Sequence, residues 1–188
     1  MVSDYTLSVA MPAVAPAVDG NLADWASADW ATIDVRTKEI GDWGHQQFKT
    51  QAAVAVSGDK LYAAFKTGDP KLIANSGELL TNLFKSGGAL DLMIGSSPTG
   101  ERLLVSWVNG KTTAMLYRPK APAGEAVKPV QFSSPLRTIS FDQVENVSSQ
   151  VDLMANKDGD YEMSIPLSAL GINPKPGDTM RGYIGVLR

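Results

Sequence analysis

Cysteine is missing from this 188-residue chain, and histidine occurs once, at His45. The first absence excludes disulfide frameworks, thiolate zinc sites and iron–sulfur clusters, and leaves the redox compartment open. With one histidine and neither a G-x-S-x-G nor a histidine-rich metal motif, triad hydrolysis and zinc catalysis have little support. No apolar run reaches the roughly 18 residues that span a bilayer. The net charge is −3, and the Lys and Arg residues are scattered singly. That distribution gives no basic footprint for nucleic acid. Long helical repeats between strands are also lacking, which argues against a parallel sheet.

What is present is ordinary globular composition, 44% hydrophobic and 20% charged, so one domain with a sizeable core is expected. The N-terminal "MVSDYTLSVAMPAVAPAV" lacks the basic region of a signal peptide. That leaves two readings, a cytoplasmic protein or an exported one whose leader an initiating Met1 has replaced.

Strand grammar dominates the rest. "FKTQAAVAVSGDKLYAAFKT" places two β-rich runs around Ser57-Gly58-Asp59-Lys60, and "ERLLVSWVNGKTTAMLYRP" turns at Asn109-Gly110, a dipeptide suited to a type I′ hairpin. "ALDLMIG" alternates Leu90, Leu92 and Ile94 with Asp91 and Met93. Strands are expected at 48–56, 60–67, 89–95, 101–108, 112–118 and 159–165. Further short ones fall in "SPLRTISF", "SSQVDLMANKDGDYEMSIP" and "MRGYIGVLR". Helix is expected only in "SGELLTNLFKSG", between Ser76 and Gly87, and in the single turn "PLSALG". The predicted class is all-β, an antiparallel two-sheet sandwich.

"DGDYEMSIPLSALGINPKPGD" reads as scaffold. Tyr161, Met163 and Ile165 are expected to face a core while Glu162 and Ser164 face out or line a groove. Pro166 ends the ladder by removing a backbone donor. Leu167 and Leu170 then fold back as an apolar plug before Gly171.

"AVDGNLADWASADWATIDV", "GDKLYAAFKTGDP", "LFKSGGALDLMIG" and "GDYEMSIPLSALGINPKPGD" occur in the order seen in family 9 carbohydrate-binding modules and their DOMON-like relatives, which the chain resembles over nearly its whole length. The resemblance implies a non-catalytic β-sandwich attached to secreted polysaccharide-processing or cell-surface proteins of bacteria, with a glycan as partner. It also implies structural roles for Trp25 and Trp30. Family members commonly continue past "GYIGVLR" into a further strand, so an open C-terminal edge and self-association through it are expected.

Sugar binding needs a flat aromatic face with hydrogen-bonding groups beside it. The candidates are Trp43 and His45 in the polar loop "IGDWGHQQF", and Trp107, Tyr117 and Arg118 on the second hairpin. Each has a structural reading too: Trp43 as a lid on the fold, Trp107 as core with Leu103 and Val105. Paired carboxylates could cleave a glycosidic bond, but Asp69, Asp91, Glu162 and Asp178 read equally as turn or strand positions. Some DOMON-like domains hold haem between Met and His or Lys, and Met93, Met115, Met163 and His45 are the residues available for it. Methionine is also an ordinary core filler. Related modules often hold a structural calcium; "NKDGDY" offers Asn156, Asp158 and Asp160, and "DGNLAD" offers Asp19, Asn21 and Asp24, all of which also suit plain turns. The expected function is non-catalytic glycan binding, with a purely structural or interaction domain as the alternative and haem binding after it.

Overall fold

The computed structural model describes residues 6–33, 49–95, 100–133, 135 and 138–188. Its strands, in chain order, are β1 (Ala31–Ile33), β2 (Thr50–Ser57), β3 (Lys60–Lys66), β4 (Ala89–Ile94), β5 (Glu101–Val108), β6 (Lys111–Arg118), β7 (Val130–Ser133), β8 (Thr138–Phe141), β9 (Gln143–Asn146), β10 (Asp152–Ala155), β11 (Asp160–Pro166) and β12 (Gly182–Leu187). They form two five-stranded antiparallel sheets, ordered β1-β2-β3-β11-β10 and β12-β4-β5-β6-β9, and the small hairpin β7-β8. The fold class is therefore all-β with two main antiparallel sheets, as the strand grammar predicts. The short β1, β7 and β9 go beyond what alternation alone marked out. Two compact units divide the chain: Met1–Leu72 with Val151–Asn173, and Ile73–Gln150 with Pro174–Arg188.

In the first unit, the β2–β3 hairpin closes at the Ser57↔Lys60 pair, where Gly and Asp were expected to turn the chain. β11 lies against β3, with Glu162 opposite Ala64 and Ser164 opposite Tyr62. Alternation then gives one face Phe65, Tyr161, Met163 and Ile165, all fully buried, as expected for a core. The other face differs from the expectation. Glu162 and Ser164 are buried as well, at 0% and 1% exposure.

The reason is the segment before β1. Trp25 packs on Ala53, Ala55, Tyr62 and Ala64, joined by Val18, Leu22 and Trp30. Alanines on the strand let a large indole approach the sheet closely, so the second face is covered too. A buried carboxylate needs donors, and Glu162 receives three: the Trp25 indole N–H at 2.8 Å, the Gly20 amide at 2.7 Å and the Asp19 amide at 3.1 Å. Ser164 donates its hydroxyl to Asp152 at 2.9 Å. Trp30 donates its indole N–H to the Trp25 carbonyl, and the Lys66 ammonium lies 4.0 Å from its ring centroid. Trp25 and Trp30 are thus structural. Beyond β11, the Leu167 amide donates to the Asp59 carbonyl at 2.8 Å, and Leu167 and Leu170 are buried. The plug after Pro166 forms as read.

In the second unit, the β5–β6 hairpin turns at Asn109 and Gly110, both at positive φ, 51° and 74°. That is the geometry a type I′ turn requires. The helix expected over 76–87 contracts to the 3₁₀ segment Leu80–Lys85, kinked at Asn82. Asn75 holds this region, donating its side-chain amide to the Leu83 carbonyl and accepting from Gly77 and Ser86. Leu83 packs with Ala89, Leu104, Met115 and Tyr117, flanked by Phe84, Phe132 and Phe141. The rings meet edge-on, Phe84 to Phe132 at 4.9 Å and Phe84 to Tyr117 at 5.7 Å between centroids. This is favourable quadrupole geometry.

Glu162→Ala leaves three N–H donors without their acceptor, two of them buried, and should lower unfolding free energy by about 3 kcal/mol or more. Trp25→Phe removes one donor to a charged group and part of a ring, for about 2 kcal/mol. Urea unfolding of both variants checks the ordering. A Glu162→Ala loss below about 1 kcal/mol would remove the carboxylate from its organising role.

Candidate functional site

The site lies on the β12–β4–β5 part of the second sheet. Antiparallel register sets Tyr183 opposite Met93 and Gly185 opposite Asp91, and Met93 opposite Arg102. Strand alternation therefore puts Tyr183, Met93 and Arg102 in one row of one face, with Gly185 and Asp91 in the next row. Arg102 reaches diagonally to Asp91 and grips it with two bonds, Nε to Oδ1 at 2.9 Å and Nη2 to Oδ2 at 2.6 Å.

Exposure is unequal across this cluster. The Asp91 side chain is 1% exposed and that of Arg102 31%, while Tyr183 is 42% exposed. Gly185 explains the pose of the tyrosine. A Cβ placed there would stand 2.8 Å from Cζ and 2.9 Å from Cε1 of Tyr183, closer than real carbons approach. Only a residue without a side chain lets the ring lie along the strand. The Arg102 guanidinium sits 6.0 Å from the Phe84 ring centroid.

The electrostatics follow from the burial. Burial pushes the Tyr183 hydroxyl above its ordinary value, the Asp91 charge adds to this, and Arg102 partly opposes it. Burial works against the Arg102 cation, but the hydrogen bonds and charge of Asp91 more than restore it. The pair engages two of the guanidinium's five N–H donors, and among the described residues the other three meet no protein acceptor. An aromatic face, a thioether and a hydrogen-bonding edge stand side by side.

Of the residues singled out from the sequence, Trp43 and His45 lie outside the described residues. Tyr117 is fully buried, at 0% exposure, and its hydroxyl accepts the Leu83 amide at 3.3 Å. A ring enclosed by Phe84 and Phe141 has no face to offer a sugar, so Tyr117 belongs to the core. Arg118 is buried and paired with Glu101 at 3.2 Å and with Glu145. Neighbours on β6, Tyr117 and Arg118 point to opposite faces. Trp107 is half-buried and shares the face of Arg118, but the Trp107↔Thr112 and Arg102↔Tyr117 pairs put it near the far end of the hairpin, about 20 Å away at strand rise. The fold does not gather these three around one ligand.

The other candidates have structural places. Met115 and Met163 are buried, and Met93 is half-buried. Asp69 and Asp178 accept amides two and three residues away along the chain, from Lys71 and Lys175. Asn156 Oδ1 accepts the Asp158 and Asp160 amides, Asp19 accepts from Asn21, Asn21 from Ala23, and Asp24 from Ala17. These are turn interactions. Among the described residues, no three Asp, Glu or His side chains gather in a metal-holding group.

Tyr183 escaped the sequence reading, in which "GYIGVLR" counted only as an edge. A signal was there. Glycine inside a strand marks a close approach, and Tyr183-x-Gly185 puts it two residues from an aromatic on the same face.

No family model, curated protein or solved structure matches this chain.

Tyr117 carries a test of the packing. Burial pushes its hydroxyl up to about 12, against the opposing hydrogen bond from Leu83 and the charge of Arg102. Because the folded value is raised, its stabilising contribution is fully present below about pH 10 and is lost as pH rises through about 12. Tyrosinate absorbance should show a group ionising at about 12, above the also raised Tyr183, and that group should be missing in Tyr117→Phe. Ionisation of all tyrosines near 10 in the folded protein would contradict the buried placement.

Proposed function

We propose that this chain is a non-catalytic glycan-binding domain of a larger exported protein. The observation that carries the reading is the Tyr183 ring, held flat along β12 by the space at Gly185, 42% exposed, and set beside a guanidinium with uncommitted donors. The apolar face of a pyranose stacks on such a ring, and its hydroxyls accept hydrogen bonds from the adjacent arginine. The resemblance to family 9 carbohydrate-binding modules supports the same class, and export with it. Asp91 and Glu162 are each bound up with structural donors, which favours binding over catalysis. Contact with the sugar through few groups implies weak, reversible association.

A glycan array followed by calorimetry on the best ligand tests this. Tyr183→Ala should weaken binding about tenfold, the worth of one stacked ring, while the melting temperature stays nearly unchanged because the ring is half in solvent. Trp43→Ala belongs in the same series as the second aromatic. If the wild type binds no glycan, with or without calcium, the domain is structural instead.

A further inference from the structure

We propose that Asp91 sets the charge class of the ligand: by occupying and neutralising Arg102 it makes the Tyr183 platform a site for uncharged pyranosides and excludes uronates. The inference rests on the glycan reading above and adds the kind of sugar and the residue that selects it.

An unpaired arginine on an open sheet face would be an acid-sugar receptor, since the planar fork of a guanidinium matches a carboxylate with two parallel bonds. Here the side-on edge of that fork, Nε with Nη2, is already filled by Asp91. A uronate reaching Arg102 would meet a group whose charge is cancelled within 3 Å by a carboxylate of its own sign. What remains is a set of single N–H donors, suited to hydroxyl oxygens. Asp91 itself is closed to the ligand: it is 1% exposed and both its oxygens are engaged. It acts through Arg102 and is a positioning residue.

The surroundings support a use for the pair. The same face carries Ala89, Met93, Leu104 and Leu187, all apolar. A buried ion pair is often no more stabilising than apolar side chains of equal volume. Stability alone therefore does not account for a charged pair in this position, whereas a role for the part-exposed arginine in the same row as Tyr183 does.

The experiment uses calorimetry with hexamers of β-1,4-linked glucose, xylose and mannose and of α-1,4-linked galacturonic acid, at low and high salt. The wild type should bind a neutral hexamer with an affinity that salt leaves unchanged, and should bind hexagalacturonate at least about tenfold more weakly. Asp91→Asn, near-isosteric and still able to accept from Arg102, should gain hexagalacturonate binding by about tenfold at low salt and lose that gain at high salt. The double variant Asp91→Asn with Arg102→Met should bind neither class well.

Wild-type binding of hexagalacturonate as tight as any neutral hexamer overturns the charge assignment and leaves the glycan reading standing. So does a folded Asp91→Asn that gains nothing. Neutral binding undiminished by Tyr183→Ala also overturns it, because the ligand then sits elsewhere. If Asp91→Asn does not fold, the wild-type panel and its salt series still decide. No binding to any hexamer or to the array removes the glycan reading itself.

Discussion

A carboxylate taken out of water must be met by donors or by a cation, and each unit of this protein is organised around one such group. In the first, Glu162 gathers an indole and two backbone amides, and through them ties the Asp19–Trp30 stretch to strands over a hundred residues away. In the second, both oxygens of Asp91 accept from one edge of Arg102, its Nε and Nη2. Neither is replaceable by a neutral apolar residue without stranding its partners. Much of the local architecture follows from satisfying these two charges.

The two cases differ in what they leave for solvent. Glu162 is consumed by its donors, and the tryptophan that supplies one of them is itself 2% exposed. That arrangement holds a segment in place and offers nothing to a ligand. Asp91 is consumed as well, but its partner is a third exposed and lies in the same row as Tyr183. The difference lies in the donor: a guanidinium has five N–H groups and spends two here.

Edge position matters for the second case. β12 is the outer strand of its sheet, and a residue there is flanked on one side only. Tyr117, on β6 three strands from β12, receives the Leu80–Lys85 segment and the β7–β8 hairpin on its face and disappears. The same residue type becomes core at one station of the sheet and surface at another. Gly185 then decides how the exposed one lies.

Much of this fold was legible from residue order. Period-two alternation and the Gly-Asp and Asn-Gly turns located β2, β3, β4, β5, β6 and β11 within a residue or two, because strand geometry and turn dihedrals are local properties. The Trp25 and Trp30 roles also came through, as did the Leu167 and Leu170 plug. Alternation says which residues share a face but not whether that face is covered, so by itself it leaves Glu162 and Ser164 facing out or lining a groove and Tyr117 open to a ligand. The pairing of Arg102 with Asp91 and of Tyr183 with Gly185 beside them joins β12 to strands some ninety residues earlier. Register between distant strands is set by tertiary pairing, and it alone brought the candidate site together.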